Sequence, residues 1–238
     1  MSNAQSSLNH QQLALAIQIQ EGTRLEDFCW TNNELLQKEI HALLHGNSQQ
    51  ILYLWGNHGS GKSHLLQACC QELLPASSAA YLPLQILKEW GPEAIEDMEQ
   101  HHLLCIDDID VIAGNPEWEE TLFHLYNRVK DKEDSLLIFS GKLPPATLQL
   151  SLPDLKSRLS WGLVLQMHEL NDEDKIKTLQ HHAQKRGFHF PSNVGQFLIT
   201  RCSRNMHDLN QLLNHLDEAS LAAQRKITIP FVKSALGI

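Results

Sequence analysis

Eight consecutive residues, Gly56-Asn57-His58-Gly59-Ser60-Gly61-Lys62-Ser63, fit the spacing G-x-x-x-x-G-K-[ST]. Each residue type there suits the holding of a polyphosphate. Glycines let the backbone turn successive N–H groups inward around phosphate oxygens. The start of a following helix adds positive potential at the same point. The Lys62 ammonium can reach the outer phosphates, and the Ser63 hydroxyl can hold Mg2+. His64, next in the chain, counts with the loop as a nucleotide-site candidate. A second stretch, Leu103-Leu104-Cys105-Ile106-Asp107-Asp108, is an apolar run that ends in two acids. At the carboxyl end of a parallel strand such acids face the crevice that the loop faces. Asp107 is then placed to hold Mg2+ through water, and Asp108 to orient an attacking water. The third acid, Asp110, reads as solvated surface.

Those residues need strands and helices to position them. Ile51–Trp55 is a short apolar run bounded by polar residues and Gly56, as a buried strand should be. A helix is expected from Lys62 to about Leu74, and further strands at Ala80–Leu82, Leu103–Asp107, Ser135–Ser140 and Leu163–Met167. Asn32 or Asn33 can cap a helix that runs to about His45, with Leu35, Leu36, Ile40, Leu43 and Leu44 on its buried face. Pro116, at a favourable first-turn position, opens another to about Lys130. Strands alternating with helices predict a parallel sheet flanked by helices, an α/β fold. Beyond residue 168 the pattern is helical only, with starts at Asn171, Pro191, near Met206 and at Pro230. The expected organisation is a flexible, Gln/Ser/Asn-rich tail over 1–24, an α/β domain over 25–168 and a small all-helical domain over 169–238.

Composition narrows the setting. The 238 residues carry 19 Lys+Arg against 28 Asp+Glu, a net charge of −9 that argues against a general coat for duplex DNA. The charge is uneven: 10 basic and 21 acidic residues lie in 1–168, and 9 and 7 in 169–238. No apolar run approaches the ~18–20 residues of a membrane span, and no signal-peptide pattern opens the chain. The five cysteines form no C-x-x-C pair, and Cys69, Cys70 and Cys105 lie in apolar stretches. Buried free thiols in a reducing cytoplasm are the expectation. The 14 histidines show no zinc-site spacing and are expected to be mostly solvated.

The two motifs with their neighbours resemble the AAA+ P-loop ATPases, in which the loop is the Walker A motif. Within them the chain resembles the branch formed by the bacterial replication initiator DnaA and its relatives. The residues that carry the resemblance are Gly56–Leu66, Leu103–Gly114, Leu125–Val129, Leu152–Gly162, Leu170–Lys175 and Ala223–Lys233. It implies a five-stranded parallel sheet followed by a helical lid, with a nucleotide, ADP or ATP with Mg2+, in the crevice between them. Arg158 matches the family's arginine finger, which acts in trans on a neighbour's nucleotide, and it follows a proline-initiated helical turn. Arg204 matches sensor 2. Ser140 can serve as sensor 1, although Lys142 stands where relatives carry an acid, a departure that bears on self-hydrolysis. Leu25, Asp27 and Phe28 are candidates for the base pocket, Phe28 as a stacking ring or as core. In the tail, Gln12, Leu13, Leu15 and Ile17 resemble the peptide by which members dock on the DNA polymerase III β sliding clamp. The implied role is negative regulation of replication initiation through hydrolysis of DnaA-bound ATP. DnaA and the clamp are the implied partners, with nucleotide-dependent self-association, DNA contact weak or indirect, and no membrane. The alternatives are a self-hydrolysing loader or motor, and an adaptor without a catalytic part.

Overall fold

The computed structural model describes residues 24–46, 50–74, 76–132 and 134–238. The clamp-peptide candidates Gln12, Leu13, Leu15 and Ile17 lie outside the described residues. Five parallel strands form one sheet: β1 Ile51–Trp55, β2 Ala79–Pro83, β3 Leu103–Asp107, β4 Leu136–Gly141 and β5 Leu163–Gln166. Their order is β2-β3-β4-β1-β5. β3 and β4 are buried along their whole length, which suits near-continuous runs of Leu, Ile and Phe rather than an alternating pattern. The order seats β4 between β1 and β3, with Ser140 opposite Leu54 and Phe139 opposite Ile106. The carboxyl end of β4 therefore stands between the ends of the two strands that carry the sequence motifs.

The helices linking these strands are α1 Glu34–Leu44, ahead of β1, then α2 Lys62–Leu73, α3 Leu84–Leu87, α4 Pro116–Lys130 and α5 Pro153–Trp161. In α1 the buried stripe is Leu36, Ile40, Leu43 and Leu44; Leu35, expected on that face, is 60% exposed. The four buried positions follow the i, i+4, i+7, i+8 spacing of one helical face, and Leu35 stands a residue's rotation to the side. α4 is capped by Asn115 and started by Pro116, and Glu119 on its first turn is fully buried. That carboxylate accepts the N–H of Gly114 at 2.6 Å and of Leu152 at 2.7 Å, which fixes the start of α5. The core of this unit gathers Tyr53, Leu104, Ile106, Leu122, Leu125, Phe139 and Leu155. Cys69, Cys70 and Cys105 are buried and free; Cys202 is exposed.

The second unit is built from α6 Asp172–Lys185, α7 Ser192–Arg201, α8 Met206–Ala223 and α9 Ile229–Leu236 around Leu179, Val194, Leu198, Leu209, Leu213 and Val232. Asn171 caps α6 and Asn205 caps α8 through their side-chain oxygens. The chain divides between Met167 and His168, but two pieces of the expected α/β stretch, Asp27–Glu34 and His58–Gly61, group with the helical unit. Side chains explain the first. Asp27 pairs with His181 at 3.1 Å and with Lys185, and Asn33 bonds both the carbonyl and the N–H of His168. Among the described residues no helix is long and apolar enough to cross a membrane.

Candidate functional site

β1 ends at Trp55 and delivers the chain into the loop, anchored where Gly56 N–H donates to Gly141 O at 3.2 Å. Gly59 and Gly61 have φ of +81° and +99°, the left-handed region that a β-carbon disfavours. At Gly59 there is no room either: a Cβ would stand 2.9 Å from Asn205 Nδ2. That same Asn205 amide donates to His58 Nδ1 at 3.0 Å, inside the second unit. Lys62, the first residue of α2, is 6% exposed, and its ammonium donates to Gly56 O at 2.8 Å and Asn57 O at 3.0 Å. Burial lowers its pKa, opposed by the carboxylates of Asp108, Asp107 and Asp110. Ser60 Oγ is buried and has no hydrogen-bond partner. An orphaned hydroxyl in a loop of left-handed glycines fits a phosphate group, because buried donors ordinarily find acceptors.

The acids of β3 are held from both sides. Asp107, 2% exposed, accepts Tyr81 Oη at 2.6 Å on Oδ2 and the Ser140 hydroxyl on Oδ1. Ser140 Oγ in turn accepts the Asp108 N–H at 3.0 Å. Burial pushes the Tyr81 hydroxyl well above its ordinary pKa, with the Asp107 charge acting the same way, so it stays a donor. The side chains of Gln67 and Ser63 act on the Tyr81 hydroxyl in the opposite direction to Asp107. Ser63 hydroxyl and Asp107 carboxylate are hard oxygen donors of the type Mg2+ takes, and the donor set fits that ion. Asp108 adopts φ 58°, ψ 53°, and its carboxyl pKa is raised by burial and by Asp107, against Lys62.

Ser140 thus braces both acids, donating its hydroxyl to Asp107 and accepting the Asp108 N–H. Asp110 is not idle surface: its two carboxylate oxygens accept the Lys142 N–H at 2.9 and 2.8 Å. Sequence reasoning missed this clamp, and it missed Tyr81 and Glu119. Pairing Tyr81 with Asp107 requires knowing that β2 lies beside β3 with Pro83 opposite Asp107.

The remaining candidates are dispersed. Arg158 lies inside α5, just past the first turn that Pro153 initiates. Arg204 immediately precedes the α8 cap; its guanidinium is 3.9 Å from Asp172 Oδ2, and its carbonyl accepts Lys175 Nζ at 2.7 Å. Leu25 and Asp27 bound a 3-10 turn, and Phe28 packs against Trp30 with ring centroids 4.5 Å apart. For Asp27, burial raises the carboxyl pKa, but the bonds from Lys185 and His181 outweigh it and hold the group below the usual carboxylate range. Among the described residues no cluster of His, Cys, Asp and Glu has metal-site geometry.

A parallel sheet with a glycine-rich loop after β1, an acid pair at the end of β3 and a following helical unit defines an AAA+ P-loop protein. Residues 31–166 match the family of the bacterial DnaA ATPase domain, and residues 172–236 match the lid domain of Hda. The chain belongs to the Hda/DnaA-related AAA+ proteins. An uncharacterized protein of Haemophilus influenzae is 43% identical over 230 residues, covering 96% of this chain and all of that relative. Domain III of the Thermotoga maritima replication initiation protein DnaA superposes with a TM-score of 0.76 at 18% identity, covering 92% of this chain and 97% of that one. AMPPCP-bound DnaA from Aquifex aeolicus gives 0.68 at 20% identity, covering 84% and 66%.

Proposed function

We propose that the protein is a nucleotide-binding regulator of DNA replication initiation that promotes hydrolysis of ATP held by DnaA. The observation that carries this reading is Arg158: a basic side chain on the surface helix α5 of a DnaA-type ATPase domain that continues into a Hda-type lid. The loop Gly56–Ser63, with His64, holds the phosphates of an adenine nucleotide, ADP or ATP. That reading is supported by the solved DnaA relative that binds AMPPCP. Lys62 exchanges the Gly56 and Asn57 carbonyls for phosphate oxygens, and Ser60 gains the acceptor it lacks. Ser63 and Asp107 hold Mg2+, which neutralises phosphate charge. Tyr81 and Ser140 keep the Asp107 carboxylate in one orientation. Arg204 turns to the phosphates, and Leu25, Asp27 and Phe28 border the base. The tail residues Gln12, Leu13, Leu15 and Ile17 dock on the sliding clamp. Arg158 then meets the triphosphate on DnaA and stabilises the charge that develops on the transferred phosphoryl group. Arginine fingers contribute about 10³–10⁵-fold. The same face supports nucleotide-dependent self-association, and the protein acts in the cytoplasm.

The test is conversion of DnaA-bound ATP to ADP with DNA-loaded clamp and either the wild type or Arg158→Ala. Conversion that needs both clamp and Arg158 is the expected result; an unchanged rate with the variant overturns the reading. Asp108 favours a second reading, hydrolysis of the protein's own nucleotide, because its carboxyl, at the carboxyl end of β3, is half-buried and raised in pKa by burial and by Asp107. ATP turnover by the isolated protein that Asp108→Asn abolishes would establish it.

A further inference from the structure

Arg158 does not stand alone on its surface. Trp161, three residues on, closes α5 with 61% of its surface exposed. The Arg158 guanidinium carbon lies 4.5 Å from the Trp161 ring centroid. Lys130 Nζ, from the last residue of the neighbouring helix α4, lies 4.8 Å from the same ring. Spacing of i, i+3 brings the arginine and the indole to one helix face, and the burial of Tyr126, Val129, Leu155 and Leu159 sets α4 and α5 in the core that brings Lys130 to it. Two cations thus share one aromatic ring in the stretch of chain where acids outnumber bases 21 to 10. Among the described residues neither cation forms an ion pair with a carboxylate.

The choice of an indole as partner has a chemical meaning. A carboxylate would cancel the guanidinium charge and occupy its N–H donors. A ring attracts the cation through its quadrupole, limits its rotamers, and leaves the planar fork of donors free. Lys130 adds a second, compact charge at the same place. That combination suits a ligand with several anionic oxygens in a row that arrives from outside this chain.

We propose that Trp161 is the positioning residue of Arg158 and that, with Lys130, it completes a surface accepting the polyphosphate of a nucleotide held by a second protein chain. The proposal rests on the trans-acting role of Arg158 given above. In the same DnaA-bound ATP assay, Trp161→Ala should slow conversion by about 3- to 30-fold. Trp161→Phe, which keeps a ring, should recover most of the rate, and Lys130→Ala should slow it by a smaller factor. ADP affinity of the protein itself and its melting temperature should stay at wild-type values in all three, which a merely structural role would not allow. Wild-type conversion by Trp161→Ala, with Arg158→Ala inactive, overturns this proposal and leaves the functional reading standing. Full conversion by Arg158→Ala overturns the functional reading instead. If Trp161→Ala lowers the melting temperature, the exposed Lys130→Ala and the Trp161→Phe variant decide: a wild-type rate for Lys130→Ala counts against the composite surface, and a slow, well-folded Phe variant against the stacking role. Quenching of tryptophan fluorescence by single-stranded oligonucleotide at physiological salt that is lost in Trp161→Phe would assign the face to nucleic acid and likewise overturn the proposal.

Discussion

Asp107 is fixed at both carboxylate oxygens, and the two hydroxyls that fix it come from different strands, Tyr81 on β2 and Ser140 on β4. Removing one leaves a buried acceptor unmet, and at Ser140 it also strands the Asp108 N–H. Ser140→Ala should therefore cost about 1–3 kcal/mol of folding stability, read as a lower urea midpoint at an unchanged m-value. A midpoint equal to wild type would mean that water replaces the hydroxyl without loss. The contrast between what the sequence discloses here and what it hides follows from range. Gly56 to Ser63 act through one local turn, so their types and spacing are readable in a line of text. Tyr81, Asp110 and Glu119 act across 26, 32 and 33 residues respectively, and only the strand order and the loop ends bring their partners within reach.

At the scale of elements, the contact of α6 with α8 carries a proton-sensitive link. His182 on α6 bonds Asn210 on α8 at 3.0 Å. Burial lowers the imidazole pKa from 6.5; the Asn210 bond opposes this, and Arg186 and His181 reinforce it. The unfolded chain then binds the proton first, so the contribution is complete about one unit above the unfolded value of 6.5 and is lost as pH falls through that value toward the folded pKa. Folding stability of the helical unit should drop between about pH 7.5 and about pH 5.5, and His182→Gln should flatten that slope. Hydrogen exchange of α6 and α8 amides at the two pH values measures it; identical slopes in both proteins would remove His182 as the cause. Asp27, whose pKa is also depressed, adds acid sensitivity only below its ordinary 3.8, so the two windows separate. Element boundaries were largely legible because capping residues announce them: Asn115 with Pro116, Asn171, and Pro230 at the second position of α9. The misplacement of Leu35 shows the limit of that legibility, since a leucine beside a buried stripe looks the same in sequence as one within it.

For the whole molecule, charge and connectivity set the expectations. A chain of net −9, with its basic excess confined to a surplus of two in 169–238, can neutralise few backbone phosphates of DNA. Binding of the isolated protein to duplex DNA should be undetectable by fluorescence anisotropy near 150 mM salt and should weaken steeply with salt wherever it is seen. Tight binding at that salt would mean that a local basic surface overrides the net charge. The division of the chain was only partly readable. The break after Met167 follows the loss of strand periodicity, but the grouping of Asp27–Glu34 with the helical unit depends on partners up to 154 residues away. Those partners, His168, His181 and Lys185, are ordinary polar residues until the fold assembles them.

Four of the five thiols sort themselves by the same architecture, with a practical outcome for anyone who follows this molecule in time, while Cys29 is half-buried. Cys69, Cys70 and Cys105 are sealed at α2 and β3, and burial raises the pKa of Cys69 and Cys105 well above the ordinary thiol value. A cysteine-directed alkylating reagent meets them only when the sheet opens, so their rate of modification is a clock for unfolding of that unit. Cys202, exposed and two residues ahead of Arg204, is modified without any opening. With Cys29 replaced by serine, a single labelling time course therefore yields two readings, a prompt one from the lid beside Arg204 and a delayed one from the centre of the nucleotide-binding sheet.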